Sequence, residues 1–204
     1  SCADCADVPN GDAYIDACNN CVGGTTGLSI CFIPQTKSEL QTAVDLWVSN
    51  NDAAVETYGD ILYWDVSLIT DMSFVFYSKT NFNQDIGSWN VSNVTNMESM
   101  FEKAVAFDQG LSSWVVGSVT NMKNMFKDAY DFMGEDIYGW DVSNVVDMSF
   151  MFNNSSSNGE GLSSWDVSNV ENMEGMFKDA SNLSDGSFEL WDVSSVTNMK
   201  SMFQ

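Results

Sequence analysis

The sequence predicts a repeat solenoid of the leucine-rich-repeat-like kind: short parallel strands plus short helices, with a disulfide-rich irregular N-terminal head. Three observations predict it. A motif opening on tryptophan recurs six times, at Trp64, Trp89, Trp114, Trp140, Trp165 and Trp191. The spacings are 25, 25, 26, 25 and 26 residues, and self-similarity at such a period means stacked units that cannot bury a face alone. All five cysteines fall within the first 31 residues, so the head is held together differently from the rest. The chain divides into a Cys-rich head (1–33), a capping helix with its lead-in (34–63) and six repeats (64–204).

The head carries Cys2, Cys5, Cys18, Cys21 and Cys31 among glycines and aspartates, with no helical or strand period. Cysteine this dense in a short segment predicts disulfides and an oxidising, extracellular setting. The competing reading is a zinc knuckle, because Cys2-x-x-Cys5 and Cys18-x-x-Cys21 have ligand spacings. An odd count leaves one thiol free or bonded to another chain. Short acidic and amide side chains at Asp7, Asn10, Asp12 and Asp16 are the ligand types of a calcium loop. The other reading of the same residues is a set of Asx-turns.

After Pro34, the stretch KSELQTAVDLWVSN places Leu40, Ala43, Val44 and Trp47 at i, i+3, i+4, i+7, one apolar helix face. Ser38 with Gln41 forms a capping box at its start, and Asn50-Asn51-Asp52 ends it. An atypical amphipathic element before the first repeat is the cap that stacked repeats require.

Counting from each tryptophan, position three is always Val and position nine always Met. Position thirteen is always Phe, and position eight is always Asp or Asn. Trp and Val two apart predict a short strand. Apolar residues at positions six, nine, twelve and thirteen predict one or two helical turns. The column at position eight is expected to bond turn backbone, as buried polar groups must. Position two is acidic in four copies (Asp65, Asp141, Asp166, Asp192), a column that repels itself unless solvated or bridged by a cation.

The motif WDVSNVTDM…MF, with FNQDIGSW from Phe82 to Trp89 and the leader ELQTAVDLW, resembles the BspA-like surface-protein repeat. The resemblance covers residues 37–204. It implies a secreted or surface-displayed protein used for adhesion or assembly, and it brings no catalytic residues. The head is similar to thrombospondin type 3 calcium repeats, which implies calcium there, although Asp7 to Asn10 is one residue too long for the strict pattern.

Composition narrows the function. With 29 acidic residues against 7 basic ones, the net charge is −22. That opposes nucleic acid or anionic membrane as partner. There is no histidine, which removes the commonest general base. Paired carboxylates such as Asp131 and Glu135 are the candidates for catalysis, but nothing focuses them into a pocket and no enzyme is expected. No apolar run reaches the ~20 residues a membrane span needs. Sequons at Asn90, Asn93, Asn153, Asn154 and Asn182 predict a glycoprotein. The chain stops at Gln204 without a polar terminal coil, which together with the odd cysteine points to head-to-tail self-association. The expected function is an extracellular structural protein assembling into a fibre or matrix. The alternative is a cell-surface adhesin recognising glycan or protein through its repeat face, with Phe74, Phe150, Tyr77, Tyr130 and Tyr138 as exposed aromatics.

Overall fold

The computed structural model describes residues 5–8, 11–15, 21–23, 30–134, 136–180, 182–183 and 188–204. In the head, β1 (Tyr14–Ile15) pairs antiparallel with β2 (Cys21–Val22), Tyr14 opposite Val22 and Ile15 opposite Cys21. The head was expected to hold no strand; an aromatic and β-branched pair suffices for one short ladder. Cys5 is disulfide-bonded to Cys21, and Cys31 is disulfide-bonded as well. Since Cys5 and Cys21 come from the two different Cys-x-x-Cys pairs, neither pair is a zinc ligand set. Cys2 and Cys18 lie outside the described residues.

Helix α1 (Lys37–Ser49) buries Leu40, Ala43, Val44 and Trp47, the face its period specifies. Its cap differs from the expected Ser38 and Gln41. Thr36 is the N-cap, its side chain accepting from the Glu39 amide at 3.2 Å. The Glu39 carboxylate in turn accepts from the Gln35 amide at 2.7 Å. The box lies two residues upstream because Thr36-x-x-Glu39 offers a stronger acceptor than glutamine. Asn50 closes α1 and caps a second helix, α2 (Asn51–Tyr58).

The repeat segment overturns the predicted fold class. The structure shows neither the parallel-strand, leucine-rich-repeat-like solenoid nor helical turns after the strand position; the short helices described in the repeats are three-residue 3-10 helices ahead of a tryptophan, such as Ile137–Gly139 and Leu162–Ser164. Among the described residues the only strands are β1 and β2, which are antiparallel, and the only α-helices are α1 and α2, both ahead of Trp64. The six copies are built from tight turns instead. Adjacent copies share one isolated parallel bridge each, at position eight, from Asp71–Asn96 to Asn172–Asn198.

The physical reason lies in where the amides are spent. From position nine onward, every second N–H leaves its own copy. In copy one, Met72, Phe74, Phe76 and Ser78 donate to the carbonyls of Asn96, Glu98, Met100 and Glu102, at 2.8–3.0 Å. The intervening amides close turns within the copy: Val75 to Met72, Tyr77 to Phe74 and Lys79 to Phe76. The same pattern recurs at every junction. A helix would keep all its N–H groups inside the copy, whereas a turn ribbon leaves half of them for the neighbour. The alternation requires left-handed backbone at position eleven (Phe74, Ser99, Asn124, Phe150, Gly175, Ser201) and at position fifteen (Ser78, Lys103, Asp128, Asn154, Asp179).

The apolar columns follow the ribbon. The position-thirteen phenylalanines stack with centroids 5.2–5.8 Å apart, from Phe76 to Phe203. Indole rings stack at 6.3–6.4 Å between Trp64 and Trp89 and from Trp114 through Trp165. Each indole N–H after Trp64 donates to the carbonyl three residues ahead of the preceding tryptophan, for example Trp89 to Ile61 at 2.9 Å and Trp191 to Leu162 at 2.9 Å. α1 covers the outer side of copy one: Gln41 donates to the Val75 carbonyl at 3.0 Å, and Lys37 reaches Asp71 and Ser73.

Candidate functional site: the turn ribbon

Positions eight to sixteen form a ribbon down one side of the molecule. Its backbone is held by position eight. Each Asp or Asn there accepts, through Oδ1, the amide two residues on: Ser73, Glu98, Lys123, Ser149, Glu174 and Lys200, at 2.8–3.2 Å. Asparagine has a second use, because Nδ2 donates to the preceding copy. Asn121 reaches Glu98 at 3.3 Å, Asn172 reaches Asp147 at 3.3 Å and Asn198 reaches Glu174 at 3.0 Å. The column bonds turn backbone, as its residue types require.

A longer period is superposed on the six copies. Position eight reads Asp, Asn, Asn and then repeats; position ten reads Ser, Glu, Lys and then repeats; position eleven places Phe in copies one and four. The motif unit is therefore a triplet used twice. This signal was present in the sequence but is hidden when the columns are compared for identity. At copy one, Lys37 from α1 meets this pattern: its ammonium lies 3.1 Å from Asp71 and bonds Ser73. The Ser149 hydroxyl, equivalent to that of Ser73, is buried and has no hydrogen-bond partner among the described residues.

Charge is distributed unevenly over the surface. Six of the seven lysines lie at positions ten to sixteen, and the seventh, Lys37, reaches the same ribbon from α1. Seven of the 29 acids share positions eight to sixteen with them, and an eighth, Asp45, reaches Lys79 from α1, which leaves the other 21 elsewhere. With seven lysines against eight acids the ribbon is close to neutral on a molecule of charge −22. Burial pushes the Asp71 carboxyl up, but the Ser73 amide and hydroxyl and the Lys37 ammonium outweigh it and hold the group below the usual range.

At position two each Asp forms an Asx-turn, Oδ1 accepting the amide two residues on, as Asp141 does from Ser143 at 3.1 Å. Hydroxyl and amide donation from Ser143, Ser168 and Ser194 lowers the pKa of Asp141, Asp166 and Asp192. Neighbouring charge in the column opposes this, Asp166 acting on Asp141 and Asp192 on Asp166. The like-charge column is tolerated because each carboxylate is held by its own turn.

The family described as a Mycoplasma protein of unknown function, DUF285, matches residues 46–158 and 132–204. The chain belongs to this family. No curated protein and no solved structure matches it.

The DUF285 copies place the predicted modification sites differently from one another. Asn90 is exposed, and its Oδ1 accepts from the Ser92 amide and hydroxyl. Asn182 is also exposed. In contrast, Nδ2 of Asn93 donates to the Ser67 carbonyl at 2.8 Å. Nδ2 of Asn153, 8% exposed, donates to Lys178 at 2.7 Å, and that of Asn154 to Asp128 at 2.9 Å. Of the calcium candidates, Asp7 and Asp12 are described while Asn10 and Asp16 lie outside the described residues. No group of three or more Cys, Asp or Glu among the described residues can hold a metal ion. Asp131 is exposed, and Glu135 lies outside the described residues. Among the described residues no helix is long and apolar enough to cross a membrane.

Proposed function

We propose that this DUF285 chain is an extracellular, surface-displayed structural protein of the BspA-like kind, and that it makes adhesive contacts with glycan or protein through the turn ribbon. The observation that carries this reading is the gathering of all seven lysines onto one nearly neutral face, beside the exposed rings of Phe74 (44%) and Tyr77 (38%). A face depleted of net charge and carrying aromatics is what a partner can desolvate at low cost. The acidic excess of the rest of the chain keeps it hydrated and repels nucleic acid. The Cys5–Cys21 disulfide supports an oxidising compartment. Asn90 and Asn182 are the sequons best placed to carry sugar, because both are exposed and attachment there breaks no amide-nitrogen hydrogen bond among the described residues.

Head-to-tail assembly into a fibre is the weaker reading. On the outer edge of copy one, which an incoming copy would need, the Val75 carbonyl already accepts from Gln41, and Lys37 of the same helix bonds the Asp71 and Ser73 side chains.

Beads coated with the chain, applied to cell layers and matrix proteins, test the reading. The paired change Lys123→Glu with Lys127→Glu on the ribbon is expected to abolish adhesion. Asp141→Asn with Asp166→Asn on the acidic column is expected to leave it intact. Equal adhesion by both variants, or none by the parent chain, overturns the proposal.

A further inference from the structure

We infer that the ribbon pairs with the ribbon of a second molecule of this chain, antiparallel and face to face, about a two-fold axis through copy four. It rests on the adhesive reading above and names the partner, a like molecule displayed on a facing surface.

The triplet makes position ten complementary to its own reverse. Along the stack the column reads Ser73, Glu98, Lys123, Ser149, Glu174, Lys200. With copy four on the axis, Glu98 meets Lys200 of the second molecule and Lys123 meets its Glu174. The two-fold doubles these to four ion pairs, as in any isologous dimer. No other antiparallel register gives as many; with all six copies overlapped, Glu98 faces Glu174. On the axis each residue meets its own twin, and there copy four presents the uncharged Ser149, Phe150, Asn153 and Asn154. Phe150 is half-buried, and its pairing puts an aromatic contact at the centre of the interface. Asp147, at the edge, is held by the Ser149 amide and by Asn172.

The rest of the ribbon accepts the same register. Position eight sets Asn96 against Asn198 and Asn121 against Asn172, without charge. Positions fourteen and fifteen set Lys127-Asp128 against Lys178-Asp179, where each lysine reaches the acid diagonally opposite. Copy one stays outside the contact, since Lys37 of α1 already meets Asp71, Ser73 and the Phe74 ring.

The charged groups are available for pairing. Lys200 is exposed, and Glu98, Lys123 and Glu174 are half-buried. Among the described residues neither Lys123 nor Lys200 forms an ion pair, and Glu98 and Glu174 each accept an asparagine amide, from Asn121 and Asn198. The shape is suitable too. From Phe101 to Phe203 successive position-thirteen rings lie within 1–11° of parallel at steps of 5.5–5.8 Å, so the five copies turn little against one another. A near-neutral face is the part that two molecules of charge −22 can bring together. Five copies by nine residues is small beside the roughly 1,600 Å² of a stable complex. The contact is therefore weak between free molecules and gains strength when many are displayed together.

Sedimentation of the whole chain across a concentration series, with clumping of chain-coated beads, tests this. The parent is expected to dimerise and its beads to clump. Lys123→Glu with Lys200→Glu makes position ten wholly acidic and should weaken dimerisation roughly tenfold or more. Glu98→Lys with Glu174→Lys makes it wholly basic and should do the same. Mixed, the two variants should pair with each other, a rescue that excludes misfolding as the cause. Phe150→Ser should weaken pairing roughly three- to tenfold. Carbodiimide coupling of mixed light and heavy-isotope chains should join Glu98 to Lys200. These stand four inter-copy steps apart within one molecule, so they meet only between two. A monomer whose beads do not clump, folded variants that fail to pair when mixed, pairing unmoved by the substitutions, or absence of that cross-link overturns the inference. If such a chain still adheres to cells or matrix through the ribbon, only the partner fails; if it adheres to nothing, the adhesive reading fails too.

Discussion

Replacing Asn172 by Asp tests the position-eight column with a change of one atom. Asn172 Oδ1 accepts the Glu174 amide at 3.1 Å and Nδ2 donates to Asp147 Oδ2 at 3.3 Å. In the variant the first bond survives, since a carboxylate is also an acceptor. The second becomes a contact between two carboxylates. At about 4 Å and an effective dielectric constant of 20, like charges repel by about 4 kcal/mol. Both residues are half-exposed, so solvent screening reduces this to about 2 kcal/mol. The lost hydrogen bond adds about 1 kcal/mol. We therefore expect about 3 kcal/mol of destabilisation at pH 7, read as a fall in urea midpoint at unchanged slope. The repulsion raises the folded-state pKa of the pair above its unfolded value, so ionisation works against folding. The penalty is present at high pH and disappears as pH falls below the carboxylate range. Denaturation at pH 3.5 should thus recover all but the hydrogen-bond part. Equal stability of variant and parent at pH 7, or a deficit that does not depend on pH, would refute the reasoning.

Three further outcomes are expected. Phe101→Ala removes a fully buried ring stacked between Phe76 and Phe126 and should cost about 3–5 kcal/mol in urea denaturation. Lys37→Met should reduce acid sensitivity. The Asp71 pKa is depressed in the folded state, so its contribution is present above the unfolded carboxylate pKa and is lost as pH falls through the lower folded one. Without the lysine that pH dependence shrinks, which stability measured from pH 5 to pH 2 would show. Gly175→Ala places a Cβ 2.4 Å from the Phe150 ring at φ +57, and should cost about 1–3 kcal/mol in thermal unfolding while displacing that ring.

Much of the core could be read directly from the columns. Trp, Val, Met and Phe recur at fixed positions, and in copies one to five those side chains are buried at each. The face of α1 was equally plain, since Leu40, Ala43, Val44 and Trp47 are separated by whole turns. The polar column at position eight was readable because Asp and Asn share one group, an oxygen two atoms from the backbone. What could not be read was the backbone path. Apolar residues at nine, twelve and thirteen suit a helix, but a run of tight turns places the same side chains inward. The evidence against a helix was scattered over position eleven, where Asn124 and Gly175 tolerate left-handed backbone while Phe74 and Phe150 do not advertise it. The triplet was missed for a related reason: it resides in Ser, Glu and Lys at position ten, which vary from copy to copy and appear as noise. The cap of α1 shifted because Glu39 competes with Gln41 as acceptor and is charged.

The whole account depends on alternate amides of each copy being bonded to the next. Scalar couplings across hydrogen bonds, measured on labelled protein, report this directly. The account predicts that the Phe101 amide couples to the Met125 carbonyl, Phe126 to Met151 and Phe152 to Met176. Couplings from those amides to carbonyls four residues earlier in their own copies would mean helices, and would contradict it.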